Sequence, residues 1–128
     1  MRLLLDTHAL LWWLSDEPAL PASARKLIAR ASNTLLVSAA SAWEIATKVR
    51  LGKLPDAADL VADFDGYLAR ERFESLPITV EHALRAGLLP GPHKDPFDRM
   101  LIAQAIAENI PILSADVAFD SYKVRRLW

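Results

Sequence analysis

Cysteine is absent from the 128-residue sequence. This absence excludes disulfide bonds, thiolate zinc sites and thiol nucleophiles, and it is typical of proteins from reducing compartments. No apolar run approaches the ~20 residues needed to cross a bilayer. Met1 and Arg2 lead directly into a short apolar stretch, which does not have the pattern of a signal peptide. We therefore expect a cytoplasmic protein without a membrane partner.

A surplus of basic residues is also lacking, because the formal net charge is −1 and the isoelectric point is about 6.3. Contacts with nucleic-acid phosphates would therefore depend on local patches or on bound metal. Apolar residues are plentiful: 52% of the chain is hydrophobic and 24% is charged, as in compact domains. A chain of this length can bury about two thirds of its unfolded surface. We predict one domain over residues 1–128.

Strands alternate with helices along the chain. Leu3, Leu4 and Leu5 are apolar without alternation, which is typical of a central parallel strand. Further strands are predicted at residues 34–37, 73–77, 111–113 and 123–128. Helices are predicted at residues 7–14, 23–31, 39–51, 56–72, 79–86 (ended by Gly87) and 96–108 (closed by Asn109). This order predicts an α/β fold, with helices on both sides of a parallel sheet.

Four acidic residues share one position relative to these elements. Asp6 and Asp116 each follow a strand, whereas Glu44 and Asp98 lie in the first turns of helices. The carboxyl ends of parallel strands meet at one edge of a sheet, where ligands usually bind. Four converging carboxylates repel one another unless cations neutralise them, and hard oxygen ligands suit Mg²⁺ or Mn²⁺. One or two such ions can activate a water and hold the leaving oxygen of a phosphodiester.

Each of these positions also has a structural alternative. Thr7 and Asp95 fit the N-caps of following helices, and Asp98 at N3 favours the dipole of its helix. Asp116 fits the cap of a short turn. Ser41–Glu44 fits a capping box, and Glu44 also fits an ion pair with Lys48 four residues on. These alternatives remain open at the level of sequence.

Several polar residues flank the acids. The hydroxyls of Thr7 and Ser114 are candidates for positioning water or metal, with capping as the alternative. Arg99 is a candidate for contacting phosphate. His8 and His93 are candidates for carrying protons or contacting substrate, with surface or supporting roles as the alternative.

At these residues the sequence resembles the PIN-domain family, in particular VapC-type toxins of bacterial and archaeal toxin–antitoxin pairs. The resemblance covers nearly the whole chain and is most specific at four segments: Leu4–Trp12, Ser41–Ile45, Asp95–Ala105 and Leu113–Asp116. It implies a PIN-like α/β/α sandwich with a short central parallel sheet. It makes Asp6, Glu44, Asp98 and Asp116 both the catalytic acids and the metal ligands, with Asp6 and Asp98 the firmest. Asp95 is an accessory acid, and Ser114 stands where many relatives carry Thr.

The resemblance further implies a Mg²⁺-dependent endoribonuclease, with Mn²⁺ as the alternative ion. Such an enzyme hydrolyses RNA phosphodiester bonds with a metal-activated water and needs no attack by the RNA 2′-hydroxyl. The resemblance also implies a toxin that forms a homodimer and a hetero-oligomer with a VapB-type antitoxin, whose tail covers an apolar groove. The adjacent Trp12 and Trp13 fit such a groove, because both cannot face the core of one helix. RNA choice would depend on shape and on local cations such as Lys48, Arg50 and Lys53.

Three other classes of protein fit the sequence less well. A receiver domain would need paired acids at the first strand and a phospho-accepting Asp after the third, but Thr7 follows Asp6 and Leu76–Ile78 offers no acceptor. A haloacid-dehalogenase phosphatase would need a second Asp where His8 stands. A PIN-like module that binds without catalysing is disfavoured by the intact acids.

Overall fold

The computed structural model describes residues 1–128 as five β-strands and seven α-helices. The strands are β1 (Arg2–Leu5), β2 (Thr34–Ser38), β3 (Glu74–Leu76), β4 (Ile112–Leu113) and β5 (Arg126–Leu127). The helices are α1 (Thr7–Leu14), α2 (Ala22–Ala29), α3 (Ala39–Arg50), α4 (Ala58–Ala62), α5 (Phe64–Glu71), α6 (Val80–Leu88) and α7 (Pro96–Glu108). Short 3-10 turns cover Pro55–Ala57 and Val117–Ser121. None of the helices is long and apolar enough to cross a membrane.

All strands are parallel, in the order β3-β2-β1-β4-β5. The central strand β1 pairs with β2 in full register and with β4 through Leu4–Ile112 and Leu5–Leu113. β1 is flanked by a strand on both sides, and the three leucines of its apolar run are completely buried. The carboxyl ends of β1, β2 and β4 therefore lie side by side.

Alternate residues of the central strands feed two separate cores. Leu3 and Leu5 pack in one apolar cluster with residues of α1, α2, α4 and α5. Leu4 and Ile112 pack in a second cluster, with residues of α7, on the other face of the sheet. Both faces are thus covered, and the predicted α/β fold is confirmed.

The helix predicted over residues 56–72 is wrong, because it is broken into the turn Pro55–Ala57, α4 and α5. The break lies at Asp63, whose backbone φ of −143° and ψ of 53° is not helical. The Asp63 carboxylate occupies the space that a Cβ on Gly66 would need. Gly66 was the sequence signal for this break, because only glycine leaves room for the carboxylate there.

The predicted helix end at Gly87 is also wrong, because α6 continues to Leu88. Arg99 donates hydrogen bonds to the backbone oxygens of Ala86 (2.9 Å), Leu89 and His93 (3.1 Å). These bonds satisfy a carbonyl that a helix end leaves free, so the chain does not need a glycine cap. At the other end of α7, Asn109 does close the helix in the left-handed conformation, with φ of 53°.

Candidate metal centre

Asp6 lies where β1 passes into α1. Its Oδ1 accepts the Ala9 N–H at 2.7 Å and so caps the helix. Thr7, expected as the cap, is instead the first helical residue. Burial raises the pKa of Asp6, although the Ser114 hydroxyl and the Ala9 N–H lower it in part, and negative charge on Asp116 raises it further. A neighbouring cation would stabilise the charged form of a carboxylate held in this way.

Glu44 lies on α3 with only 4% of its surface exposed. Its Oε1 accepts the Thr7 hydroxyl at 2.7 Å, and its Oε2 lies 2.6 Å from Lys48 Nζ. The predicted Glu44–Lys48 ion pair is thus present. Thr7 Oγ1 also lies 2.9 Å from Ser41 Oγ. Because a hydroxyl has one hydrogen, Thr7 can donate to Glu44 and accept from Ser41.

The capping box proposed for Ser41–Glu44 is wrong, because α3 begins earlier. Ser38 is its N-cap and accepts the Ala40 N–H at 2.9 Å. Ser41 and Glu44 therefore lie inside the helix, and their side chains are free to bond with Thr7 of α1. This contact joins the first turns of two helices that follow neighbouring strands.

Asp98 lies in the first turn of α7 and has no hydrogen-bond donor of its own among the side chains around it. Asp95 provides the N-cap of α7, as predicted, and its Oδ1 accepts the N–H groups of Phe97 and Asp98 at 2.8 and 3.2 Å. Burial and the negative charges of Asp95, Glu44 and Asp116 raise the pKa of Asp98 to about 6, against a lowering by His93. A neighbouring cation would therefore stabilise the charged form of Asp98.

Asp116 follows β4 and is exposed to solvent. Its Oδ1 accepts the Ala118 N–H at 2.9 Å, which caps the turn as predicted. Ser114 is completely buried, and its Oγ accepts the Asp116 N–H at 3.0 Å. Asp116 acts on the pKa of both Asp6 and Asp98. The structure thus brings all four predicted acids into one electrostatically coupled group.

The sequence names His93 only as a candidate for carrying protons or contacting substrate, and its place among the ligand atoms of the acids was not predicted. Ligand atoms of His93, Asp98 and Asp116 all lie within 4.8 Å of one another. His93 Nε2 lies 3.1 Å from Asp98 Oδ2 without forming a hydrogen bond with it, and this buried nitrogen has no other partner. The signal in the sequence was its place five residues before Asp98, directly after the segment that contains Pro90 and Pro92.

The remaining candidates lie outside this cluster. The Arg99 guanidinium donates hydrogen bonds to backbone oxygens of α6 and of the loop before α7. These bonds favour a structural role for Arg99 over contact with phosphate. His8 is exposed and packs beside Trp12. Lys48 and Lys53 line a groove of about 620 Å³ that begins at Thr7.

That groove is largely apolar and follows α1. Trp12 lines it, and the ring of Trp12 contacts that of Trp128 with centroids 5.9 Å apart. Trp13 points elsewhere, and its indole N–H donates to Glu71 at 3.1 Å. The two tryptophans therefore face different surroundings, as their adjacency in one helix predicts.

The donor set fits a hard divalent cation. Asp6, Asp98 and Asp116 each retain oxygen lone pairs after capping is accounted for, and two of them have pKa values raised by burial and mutual repulsion. Mg²⁺ and Mn²⁺ prefer carboxylate oxygens and usually keep several waters, which the exposed Asp116 side of the cluster would allow. The unpartnered His93 nitrogen adds a ligand type that Mn²⁺ accepts more readily than Mg²⁺.

A family model described as the PIN domain matches residues 3–124. Ribonuclease VapC16 from Mycobacterium tuberculosis is 42% identical over 62 residues, which are 46% of this chain and 40% of that protein. The chain therefore aligns with less than half the length of this curated relative.

Solved structures share the fold across nearly the whole chain. The crystal structure of VapBC2 from Rickettsia felis bound to a DNA fragment from its promoter has a TM-score of 0.73 and 19% identity, and covers 99% of this chain and 98% of that one. FitAcB from Neisseria gonorrhoeae has a TM-score of 0.68 and 17% identity, with 98% and 96% coverage. At such identities the likeness establishes the fold alone.

Proposed function

This chain belongs to the PIN domain family, and from its acidic cluster we propose that it is a Mg²⁺-dependent endoribonuclease and the toxin of a toxin–antitoxin pair. The observation that carries the proposal is the electrostatic condition of Asp98, whose pKa is raised to about 6 by burial and by three neighbouring carboxylates. A group of like charges held this close is unfavourable in an empty site and favourable around a cation.

Asp6, Asp98 and Asp116 are the residues that would hold the ion. When bound, Mg²⁺ would lower the pKa of an attacking water and offset charge on the phosphodiester. Glu44 supplies negative charge that acts on Asp98, and its two oxygens already bond to Thr7 and Lys48. The ligand role expected for Glu44 is thus weakened, whereas its role in fixing α1 against α3 is strengthened.

In this proposal, Thr7 and Ser114 orient the acidic residues. Thr7 holds Glu44 through its hydroxyl, and Ser114 holds the backbone of Asp116. Asp95 fixes the first turn of α7 and adds negative charge beside Asp98. All three therefore position groups that the reaction needs.

Cleavage of total cellular RNA in Mg²⁺ and in EDTA tests the nuclease. We expect cleavage only in Mg²⁺, and none by Asp98→Asn, which removes one charge and keeps the volume. Glu108→Gln is the matched control on the same helix, ten residues or about 15 Å along the axis from Asp98. Equal activity of the wild type and Asp98→Asn would contradict the proposal.

We propose that the apolar groove along α1 receives the tail of a VapB-type antitoxin. Support comes from the fold shared with VapBC complexes and from the position of the groove, which begins at Thr7 beside the acids. The free protein is then toxic when expressed alone and tolerated beside its antitoxin. Harmless expression of the folded, active nuclease by itself would remove the toxin role. Lys48 and Lys53 provide cations in the same groove for RNA when the antitoxin is absent.

We also propose a homodimer formed through α6. Val80, Leu84 and Leu88 repeat every four residues on one face of this helix and are 63–83% exposed. Beside this stripe, Glu81 and Arg85 pair at 3.4 Å. Two antiparallel copies of the helix would bring each Glu81 near the Arg85 of the other.

Trp43 extends this apolar surface. It is 61% exposed and packs edge-to-face on Phe97 with centroids 4.8 Å apart, beside a cavity of about 250 Å³. Apolar patches of this kind commonly mark protein interfaces. We expect light scattering to give a dimer mass for the wild type and a monomer mass for Leu84→Lys. Leu51→Lys, at an exposed leucine outside the stripe, is the control and should remain dimeric.

A further inference from the structure

We infer that His93 Nε2 is a direct ligand of the divalent ion in the acidic cluster, so that the ligand set contains one nitrogen and the site favours Mn²⁺ over Mg²⁺. The inference rests on the proposed metal-dependent nuclease site and names a ligand that the acids alone do not predict. It requires the imidazole nitrogen to be buried, free of other bonds and aimed at the carboxylates.

The nitrogen meets these requirements. His93 Nε2 is buried and has no hydrogen-bond partner, and a buried polar atom left without a partner costs about 1–3 kcal/mol. It lies 3.1 Å from Asp98 Oδ2, and ligand atoms of both residues lie within 4.8 Å of Asp116. An ion placed among these atoms would satisfy the nitrogen and neutralise the two carboxylates together.

The loop that carries His93 is fixed on both sides. The Tyr122 hydroxyl accepts the His93 N–H at 2.8 Å, and Arg99 donates to the His93 oxygen at 3.1 Å. Gly91 has a φ of 117°, and a Cβ there would lie 2.7 Å from the Tyr122 ring. The loop thus approaches Tyr122 as closely as a glycine permits. This rigid support is what holding a ligand in place requires.

The other two histidines of the chain are engaged or exposed. His82 belongs to the capping box of α6, where its Nδ1 accepts the Thr79 N–H at 3.1 Å. His8 is exposed on α1 beside Trp12. His93 is therefore the histidine whose nitrogen is both buried and unused.

Pulsed electron paramagnetic resonance of bound Mn²⁺ tests this ligand directly, without reference to activity. We expect the wild-type protein to show coupling from a coordinated nitrogen, and the pattern to change when ¹⁵N-histidine is incorporated. The coupling should be lost in His93→Gln and retained in His8→Gln. Mn²⁺ affinity of His93→Gln should fall about tenfold or more, because losing even an outer partner of a metal ligand costs about 10–100-fold. Mg²⁺ affinity should fall less.

Two other outcomes separate this inference from the proposed function. Suppose that the wild type binds Mn²⁺, that Asp98→Asn does not, and that ¹⁵N-histidine leaves the spectrum unchanged. This result would overturn the nitrogen ligand and leave the nuclease proposal standing. Failure of both Mn²⁺ and Mg²⁺ to bind in an Asp98-dependent manner would overturn both. The isotope exchange is made in the wild-type chain, so a variant that fails to fold does not affect the result.

Discussion

The acidic cluster has two unlike halves. In the buried half, Asp6 caps α1, and Thr7 joins Ser41 to Glu44, so that the polar groups have partners within the protein. In the open half, Asp98 and His93 lie close together without a hydrogen bond between them, beside the exposed Asp116. The buried half can be stable without a metal. The open half leaves these groups available to a ligand from outside the chain, such as the proposed metal ion.

The largest expected difference between the halves is in catalysis. Asp98→Asn in the open half should reduce Mg²⁺-dependent RNA cleavage by roughly 100-fold or more, since losses of outer partners of metal ligands alone cost about 10–100-fold. Thr7→Val in the buried half should retain measurable cleavage, because the ligand carboxylates remain. Single-turnover rates of the two variants provide the comparison, and a reversed order would show that the division is wrong. Asp6→Asn should resemble Asp98→Asn, because Asp6 is a proposed metal ligand although it lies in the buried half.

Metal binding should stabilise the protein through the open half. Mg²⁺ at a hundredfold excess over its Kd contributes about 2.7 kcal/mol of stability, or roughly 10 °C in Tm for a chain of this size. Thermal melts with and without Mg²⁺ should show this shift in the wild type and in Thr7→Val. Asp98→Asn should show little or none.

Metal-free stability should depend on the buried half. Thr7→Val leaves a Glu44 oxygen without its donor at a site that is 4% exposed, which should reduce the free energy of unfolding by about 1–3 kcal/mol. Thr47→Val is the matched control, because the Thr47 hydroxyl donates to the Trp43 oxygen within α3 at a more exposed position. Urea denaturation in EDTA measures the free energy of unfolding of both variants. Equal losses of stability in Thr7→Val and Thr47→Val would contradict the stabilising role of the Thr7–Glu44 hydrogen bond.

The smallest expected effect is a pH dependence arising from the open half. The pKa of Asp98 is raised from 3.8 to about 6, so the folded protein takes up a proton before the unfolded chain does as pH falls. Metal-free stability from this group therefore increases from pH 7 to pH 5, by roughly 1 kcal/mol after solvent screening is allowed for. Asp98→Asn should lack this component and should be the more stable protein in EDTA at pH 7. If the stabilities of the wild type and Asp98→Asn changed in parallel with pH, a contribution from Asp98 would be excluded.

The sequence was sufficient to predict the parallel sheet and the edge at which the acidic residues lie, and the reason is physical. The apolar run Leu3–Leu5 required a central strand, and the carboxyl ends of parallel strands share one edge whatever the details of the helices. The break at Asp63 and the continuation of α6 through Gly87 were not predicted. Both depend on contacts across space, Asp63 with Gly66 and Arg99 with the Ala86 oxygen.

The contacts within the site were harder to predict than its location. The sequence placed Glu44 near the other acids, but it could not show that Thr7 and Lys48 occupy its oxygens. The role of His93 depends on a loop held by Tyr122, almost thirty residues later in the chain. Spacing along a sequence does not record such side-chain directions.

The pairing of β1 with β4 also determines when, during synthesis and folding, the acidic cluster can form. The Asp6 N–H donates to the Leu113 oxygen at 3.1 Å, so β1 is paired on this side only by residues more than one hundred positions later in the sequence. A nascent chain still being synthesised on the ribosome has Asp6 long before it has β4 and Asp116. Closing this long sequence separation is a late and slow event in folding. Synthesis must therefore pass Asp116 before the carboxylates can meet.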